Sequence, residues 1–261
     1  MTYYLSIAFS LGLLFIQRAD PQVAPHPNIA FAIRVYQRVG ASHIDWMGIA
    51  PPGQQAVKWS DAEKSQCVAT QRSPVPAETN ALAQSSIAEN GKLLAWSADG
   101  TVFAYVARDA TIPPPMPNPW GCTDCFYSVL KVVRANDTKV LSTIPLPKFG
   151  DRWNYATSIT WSPDNKTLLV GGEAGPSDSK YEDYWLLDST TEKWRYAGGG
   201  NAAKWSPDSS QIVWLAARTL GPLGKIHVWV VRLVLLDVQS LKQNVLTSGT
   251  SYVSDFYWCS K

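Results

Sequence analysis

Cysteine, histidine and charge are all scarce in this chain, and each shortage removes a class of protein. Four cysteines, Cys67, Cys122, Cys125 and Cys259, close at most two bridges, too few for a scaffold built on disulfides. The Cys122–Cys125 spacing has the form of half a zinc site, but His26, His43 and His227 show no paired spacing, so no metal is expected. A thioredoxin-like role needs that motif to open a helix, whereas WGCTDCFYSVLKVV runs from a proline-rich loop into strand-like sequence. A local loop disulfide or two unused thiols is the expectation.

Charged residues make up 17% of the chain, with 23 Lys+Arg against 21 Asp+Glu, which suits neither a disordered polyelectrolyte nor a nucleic-acid binder. Long apolar runs are missing too. Residues 5–16, LSIAFSLGLLFI, form the longest one, too short to span a bilayer as a helix, so no integral membrane span is expected. Its length and the polar exit QRADPQVAPHP fit the core of a signal peptide, although MTYY before it carries no Lys or Arg and no A-x-A site follows. The expectation is a signal peptide or ragged start over 1–21, one domain over 22–261, and an extracytoplasmic location: periplasm, cell envelope or secreted.

What the chain does have is tryptophan, 12 of them beside 17 Gly and 18 Pro, the balance of many short strands and tight turns. Self-comparison locates them. SITWSPDNKTLLVGGE (158–173) aligns with AAKWSPDSSQIVWLAA (202–217), LLAWSADGTVFAYVAR (93–108) is a third copy, and weaker echoes surround Trp59 and Trp258. Each copy reads as strand, turn, strand: in SPDNK and SPDSS Pro sets φ at the start of the turn, and Asp164 or Asp208 bonds its own backbone within it, as Asp99 does before Gly100. A second strand pair follows each copy, in 129–144, 183–198 and 227–247. Four antiparallel strands repeated every 40 to 50 residues or so is the pattern of a propeller blade.

The W-S-P-D units, with W-S-A-D-G at 96–100, resemble the repeat of TolB-like and WD-repeat-like β-propellers, also found in the propeller domains of prolyl-oligopeptidase-type peptidases. The resemblance covers most of 85–261 and implies an all-β fold of four-stranded antiparallel blades, five or six of them. Residues 28–59 read as a degenerate first blade, and 74–86 as a short helix or loop. The last strand, YVSDFYWCS, is expected to complete the first blade and close the ring, bringing Cys259 toward Cys67 for a ring-closing disulfide. Trp96, Trp161 and Trp205 then serve packing between blades, and the recurrent Asp residues serve turns rather than metal or catalysis.

Function is expected on loops. In a four-stranded meander the B-to-C and D-to-A connections share one face. The longest are 108–125, with Trp120, and 145–157, with Lys148, Asp151, Arg152, Trp153 and Tyr155. Smaller B-to-C loops hold Glu173, Asp178, Lys180, Tyr181 and Arg218. Aromatic and cationic side chains on one face suit a protein or peptide partner. G-x-S-x-G, H-E-x-x-H, P-loop and G-x-G-x-x-G motifs are all missing. Asp183, Asp188, Asp237 and Asp255 are the candidates for a carboxylate pair across a central channel, and strand-end Asp residues usually cap turns. The resemblance implies a periplasmic or cell-envelope protein-binding role; a monomer without cofactor or nucleic-acid partner is expected. The alternative is an enzyme: a channel-located hydrolase, or a peptidase propeller whose catalytic domain is absent.

Overall fold

In the computed structural model, the residues described are 29–36, 42–48, 57–58, 81, 83–85, 87, 91–109, 111, 127–149, 156–173, 182–223, 226–247 and 252–258. They form an all-β protein whose four-stranded antiparallel units are the blades of a β-propeller. Blade 2 is β4 (Gly91–Trp96), β5 (Val102–Arg108), β6 (Tyr127–Arg134) and β7 (Val140–Pro145), paired in that order. Blade 3 is β8 (Ala156–Trp161), β9 (Thr167–Glu173), β10 (Glu182–Asp188) and the first half of β11 (Trp194–Trp205).

Strand β11 serves two blades. Trp194–Gly200 pairs with β10, and Asn201, Lys204 and Trp205 pair with β12 (Gln211–Leu223). Gly198 at φ 138° and Ala202 at φ 55° bend the strand where it crosses from one blade to the next. Blade 4 continues through β13 (Ile226–Asp237) and β14 (Gln243–Val245).

The remaining strands are β1 (Ile29–Tyr36), β2 (Ser42–Gly48), β3 (Val57–Lys58) and β15 (Tyr252–Trp258). The C-terminal strand β15 pairs antiparallel with β1, Ile29 opposite Trp258, and β2 and β3 follow outward. Blade 1 is therefore assembled from both ends of the sequence, as its pattern predicts. The described residues account for four blades. The Trp59 copy, one of those behind an expectation of five or six, falls in 59–80, outside the described residues. All four cysteines lie outside them as well. Residues 81, 83–85 and 87 are helical, where a short helix or loop is expected.

The core lies between blades, because each blade is apolar on both faces and must cover both. Val106, Leu130 and Ile144 of blade 2 pack on Trp161, Leu168 and Leu187 of blade 3. Tyr184 and Leu186 of blade 3 pack on Trp214, Val234 and Leu236 of blade 4. Val213, Leu233 and Leu235 of blade 4 meet Phe256 and Trp258 of β15. The other face of blade 2, with Phe103, Tyr105 and Val129, packs on Ala83 and Ile87 of the helical segment.

The indoles add directed bonds to these layers. Trp161 Nε1 donates to the Ala95 carbonyl, and Trp258 Nε1 to the Lys204 carbonyl, both at 3.2 Å. In each case the acceptor precedes the motif Trp of the neighbouring blade. Lys204 closes the second of these junctions from the other side: its ammonium donates to the Phe256 carbonyl at 2.5 Å and lies 4.2 Å from the Tyr257 ring centroid.

Candidate functional site: the face of long connections

Strands of a meander alternate in direction, so A-to-B and C-to-D turns gather at one end and the other connections at the opposite end. The first end is sealed by short turns. In blades 2 to 4 every A-to-B and C-to-D turn is five residues long. Each A-to-B turn is built the same way. Ser97 Oγ donates to Asp99 (2.7 Å) and accepts from the Val102 amide (3.1 Å); Ser162 and Ser206 repeat both bonds with Asp164 and Thr167, and with Asp208 and Gln211.

The two kinds of turn are also bonded to each other. The first C-to-D turn residue donates its amide to the carbonyl five positions after the motif Trp: Ala135 to Thr101, Ser189 to Lys166, Val238 to Ser210, at 2.9 to 3.0 Å. Neighbouring blades are stitched at the same level, Ala98 N to Asn165 Oδ1 at 2.6 Å and Asp164 N to Ser209 Oγ at 2.9 Å. Hydroxyl and amide donors around Asp99, Ser97 first, hold its carboxyl below the usual carboxylate range, and Ser206 does the same for Asp208. These aspartates bond within their own turns.

Two of the carboxylates considered for a channel pair sit on this sealed end. Asp188 accepts the amides of Thr190 and Thr191, and Asp237 accepts the amide and hydroxyl of Ser240. Their carboxyls are lowered by those bonds, the Thr191 and Ser240 amides foremost. Asp183, on β10, accepts the Tyr196 hydroxyl at 3.1 Å. Among the described residues, no group of three or more His, Cys, Asp or Glu is suited to hold a metal ion.

The opposite end carries the long connections, and the structure anchors the start of one of them. After β7 the Pro145 carbonyl accepts the Trp194 indole N–H at 3.0 Å, and Leu146 N donates to the Ser128 carbonyl at 2.9 Å. Phe149 is fully buried, and its ring fills the space where Gly172 has no side chain: a Cβ there would lie 2.1 Å from Phe149 Cγ. Lys148 is exposed between these anchors. Of the residues singled out in the same connection, Asp151, Arg152, Trp153 and Tyr155 lie outside the described residues, as do Trp120 and Tyr181. Arg218 is placed differently from expectation. It lies within β12, opposite Val230, because β12 and β13 continue their ladder well past the point where the other blades turn into loops.

One cluster at this end escapes the sequence reading. Glu182, the first residue of β10, accepts hydroxyls from Thr157 and Ser158 of β8 and, at 2.6 Å, from Tyr184. Tyr184 in turn accepts the Ala203 amide of blade 4 at 3.3 Å. The carboxylate reaches β8 by leaning across β9 at Gly171, where a Cβ would stand 2.4 Å from Ser158 Oγ and 3.0 Å from Glu182 Oε2. A register shift between Ala156 and Ser158 lets two consecutive residues, Thr157 and Ser158, reach the same acceptor. The signal in the sequence is Gly171 itself, a glycine where the other copies have Val106 and Leu215. The arrangement pins three strands and a neighbouring blade beneath the long connections.

No family model matches the chain, and no curated protein does. Solved structures do resemble it in fold. Among them are TolB from Acinetobacter baumannii, at 14% identity over 89% of this chain and 44% of that one, with a TM-score of 0.37. The β-propeller domain of the Trilobed protease from Pyrococcus furiosus has 11% identity over 85% of this chain and 54% of that one, with a TM-score of 0.38. An oligogalacturonate lyase in complex with manganese has 16% identity over 61% of this chain and 42% of that one, with a TM-score of 0.42. The chain spans between about two fifths and just over half of these proteins' lengths.

Proposed function

We propose that this protein is a non-enzymatic binding or scaffold module that recognises a protein or peptide through the face of long connections. The observation that carries this reading is the asymmetry of the two ends. At one end, uniform five-residue turns bond their own Asp and Ser side chains. The other end carries the segments 109–126, 146–155 and 174–181, none of which a hairpin requires. Those segments hold Trp120, Arg152, Trp153, Tyr155 and Tyr181, the aromatic and arginine types that anchor partners. Lys148 stands exposed on a stretch fixed by Phe149, which supports a preorganised surface.

The module works as a monomer outside the cytoplasm; the apolar run 5–16 and its proline-rich exit support export. The test is capture of a partner from an extract of the native host, identified by mass spectrometry, followed by titration with Arg152→Ala plus Trp153→Ala. Loss of binding by about tenfold or more, with an unchanged melting temperature, supports the reading, since a buried aromatic or arginine anchor contributes about 2 kcal/mol or more. Undiminished capture by the double variant assigns recognition to another surface.

A further inference from the structure

Arg232 is a half-buried cation that the fold leaves unpaired. It sits on β13 opposite Ala216 of β12. Two and four positions on, Val234 and Leu236 pack in the layer between blades 3 and 4, so the alternation of a strand turns Arg232 to the same layer. Ala216 packs against that layer as well. Arg232 lies nearer the long connections than either, one step above the paired Trp214 and Val234, and Trp214 carries the ring of Tyr184 from blade 3.

Its Nε is buried without a hydrogen-bond partner, and among the described residues no carboxylate forms an ion pair with it. A guanidinium does not shed its proton, so the charge stays. Glu182, the blade 3 carboxylate bonded to Tyr184, is occupied by the Thr157, Ser158 and Tyr184 hydroxyls. Blade 4 supplies none, since no Asp or Glu occurs from Ser209 to Leu236. The repeat does not require arginine here. Arg134, Asp188 and Asp237 each donate an amide to the carbonyl five residues later, which aligns Arg232 with Val129, buried and apolar, and with Asp183, bonded to Tyr196. The layer is also held less firmly than its neighbours. Trp161 and Trp258 each bond a carbonyl of the adjoining blade, whereas the Trp205 indole N–H, in the layer between blades 3 and 4, is buried without an acceptor. An unpaired charge raises the free energy of the empty layer, and an anionic acceptor removes that cost.

We propose that the seam between blades 3 and 4, at the end of the long connections, binds a carboxylate with Arg232 as its anchor. The fork of a guanidinium matches the two oxygens of a carboxylate, and one cation balances one negative charge. A phosphate, with up to two charges, asks for a second cation, and Lys204 of the same blade donates instead to the Phe256 carbonyl of β15. The seam therefore suits the carboxylate of a small organic acid or of a peptide. It is a site beside the long connections and does not depend on what they bind.

The test is an NMR titration of the whole chain, isotopically labelled at the arginine Nε positions and assigned by triple resonance, so that the wild type decides whether or not a variant folds. Sodium acetate is expected to move the Arg232 Nε–H resonance along a saturable curve, and sodium chloride at equal ionic strength to move it about tenfold less. Two N-acetylated tripeptides of alanine, one with a free C-terminal carboxylate and the other amidated, separate the sources. Saturation by the free-acid peptide at about a tenth of the acetate concentration assigns the seam to a peptide terminus, and saturation by both at the same concentration assigns it to a free small acid. Arg232→Lys keeps the charge without the fork and should weaken acetate binding about tenfold, read from broadening of the acetate methyl signal, and Arg232→Gln should abolish it. Arg152→Ala plus Trp153→Ala should leave the titration unchanged. A shift that does not saturate, an equal response to chloride, an amidated peptide as effective as the free acid, or undiminished acetate binding by Arg232→Gln overturns the site. So does a titration lost with Arg152 and Trp153, which would place the anchor in that connection.

Discussion

Ser97, Ser162 and Ser206 are among the most deeply buried polar residues described, at 2%, 1% and 2% exposure, and each both donates to the turn aspartate and accepts a strand amide. Sequence reasoning credits the turn to Asp and overlooks the serine, since a Ser beside Pro-Asp reads as one more turn former. Removing it orphans the amide of the following strand. Ser206→Ala is expected to destabilise by about 1–3 kcal/mol, the cost of leaving a buried donor unpaired, measured as a shift in the urea midpoint at constant m-value. The aspartates set an acid limit. Asp99, Asp188, Asp208 and Asp237 all have carboxyls lowered in the folded state. Their contribution is thus complete above the unfolded-state value of about 3.9 and is lost as pH falls through the lower folded values. Stability should be level above about pH 5 and fall steeply below about pH 4, and Asp208→Asn should flatten that fall; tryptophan emission against pH at fixed urea checks both.

Elements are positioned by absences as much as by contacts. The Gly171–Gly172 pair of β9 removes two side chains where Glu182 and Phe149 must pass, one on each face of the strand. Gly172→Ala should cost about 1–3 kcal/mol through overpacking. It should also displace Phe149 and loosen the start of the connection that carries Lys148, so trypsin is expected to cut after Lys148 faster than in wild type while cutting elsewhere at the same rate. Gly200 does the same for blade 4: a Cβ would stand 2.2 Å from Trp214 Cδ1 and 2.5 Å from the Leu215 carbonyl. Trp214 is 1% exposed and packs on Tyr184 with ring centroids 5.9 Å apart, so Gly200→Ala disturbs the layer between blades 3 and 4. An unchanged calorimetric melting temperature for Gly200→Ala would show that the layer yields to it freely.

At the scale of the whole molecule, blade 1 depends on a strand more than 200 residues away from its partners in the chain. Deleting 252–261 removes Phe256 and Trp258 from the layer against Val213, Leu233 and Leu235, and leaves β1 with an open edge. Loss of two buried aromatic side chains costs about 3–5 kcal/mol each, comparable to the stability of a whole domain. The truncated chain is expected to aggregate on size exclusion and to lose a single cooperative calorimetric transition. A monomeric truncated chain with the wild-type transition would mean that blades 2 to 4 stand without the first.

By itself the sequence determined whatever depends on neighbours a few residues apart. The Trp-Ser-x-Asp turns, the hairpins around them and the four-stranded repeat are local chemistry, so they are written locally, and even the return of the last strand to the first blade follows from Trp258 echoing the motif. Only the tertiary structure decided what depends on register across strands. Glu182 meets Thr157 and Ser158 because β9 lacks a side chain between them, β11 divides its pairing between two blades, and β12 carries Arg218 along its ladder with β13 instead of into a loop. Strand periodicity fixes which face a residue shares. It does not say where a ladder stops or which distant residue lies opposite, and those two facts shape the face of long connections.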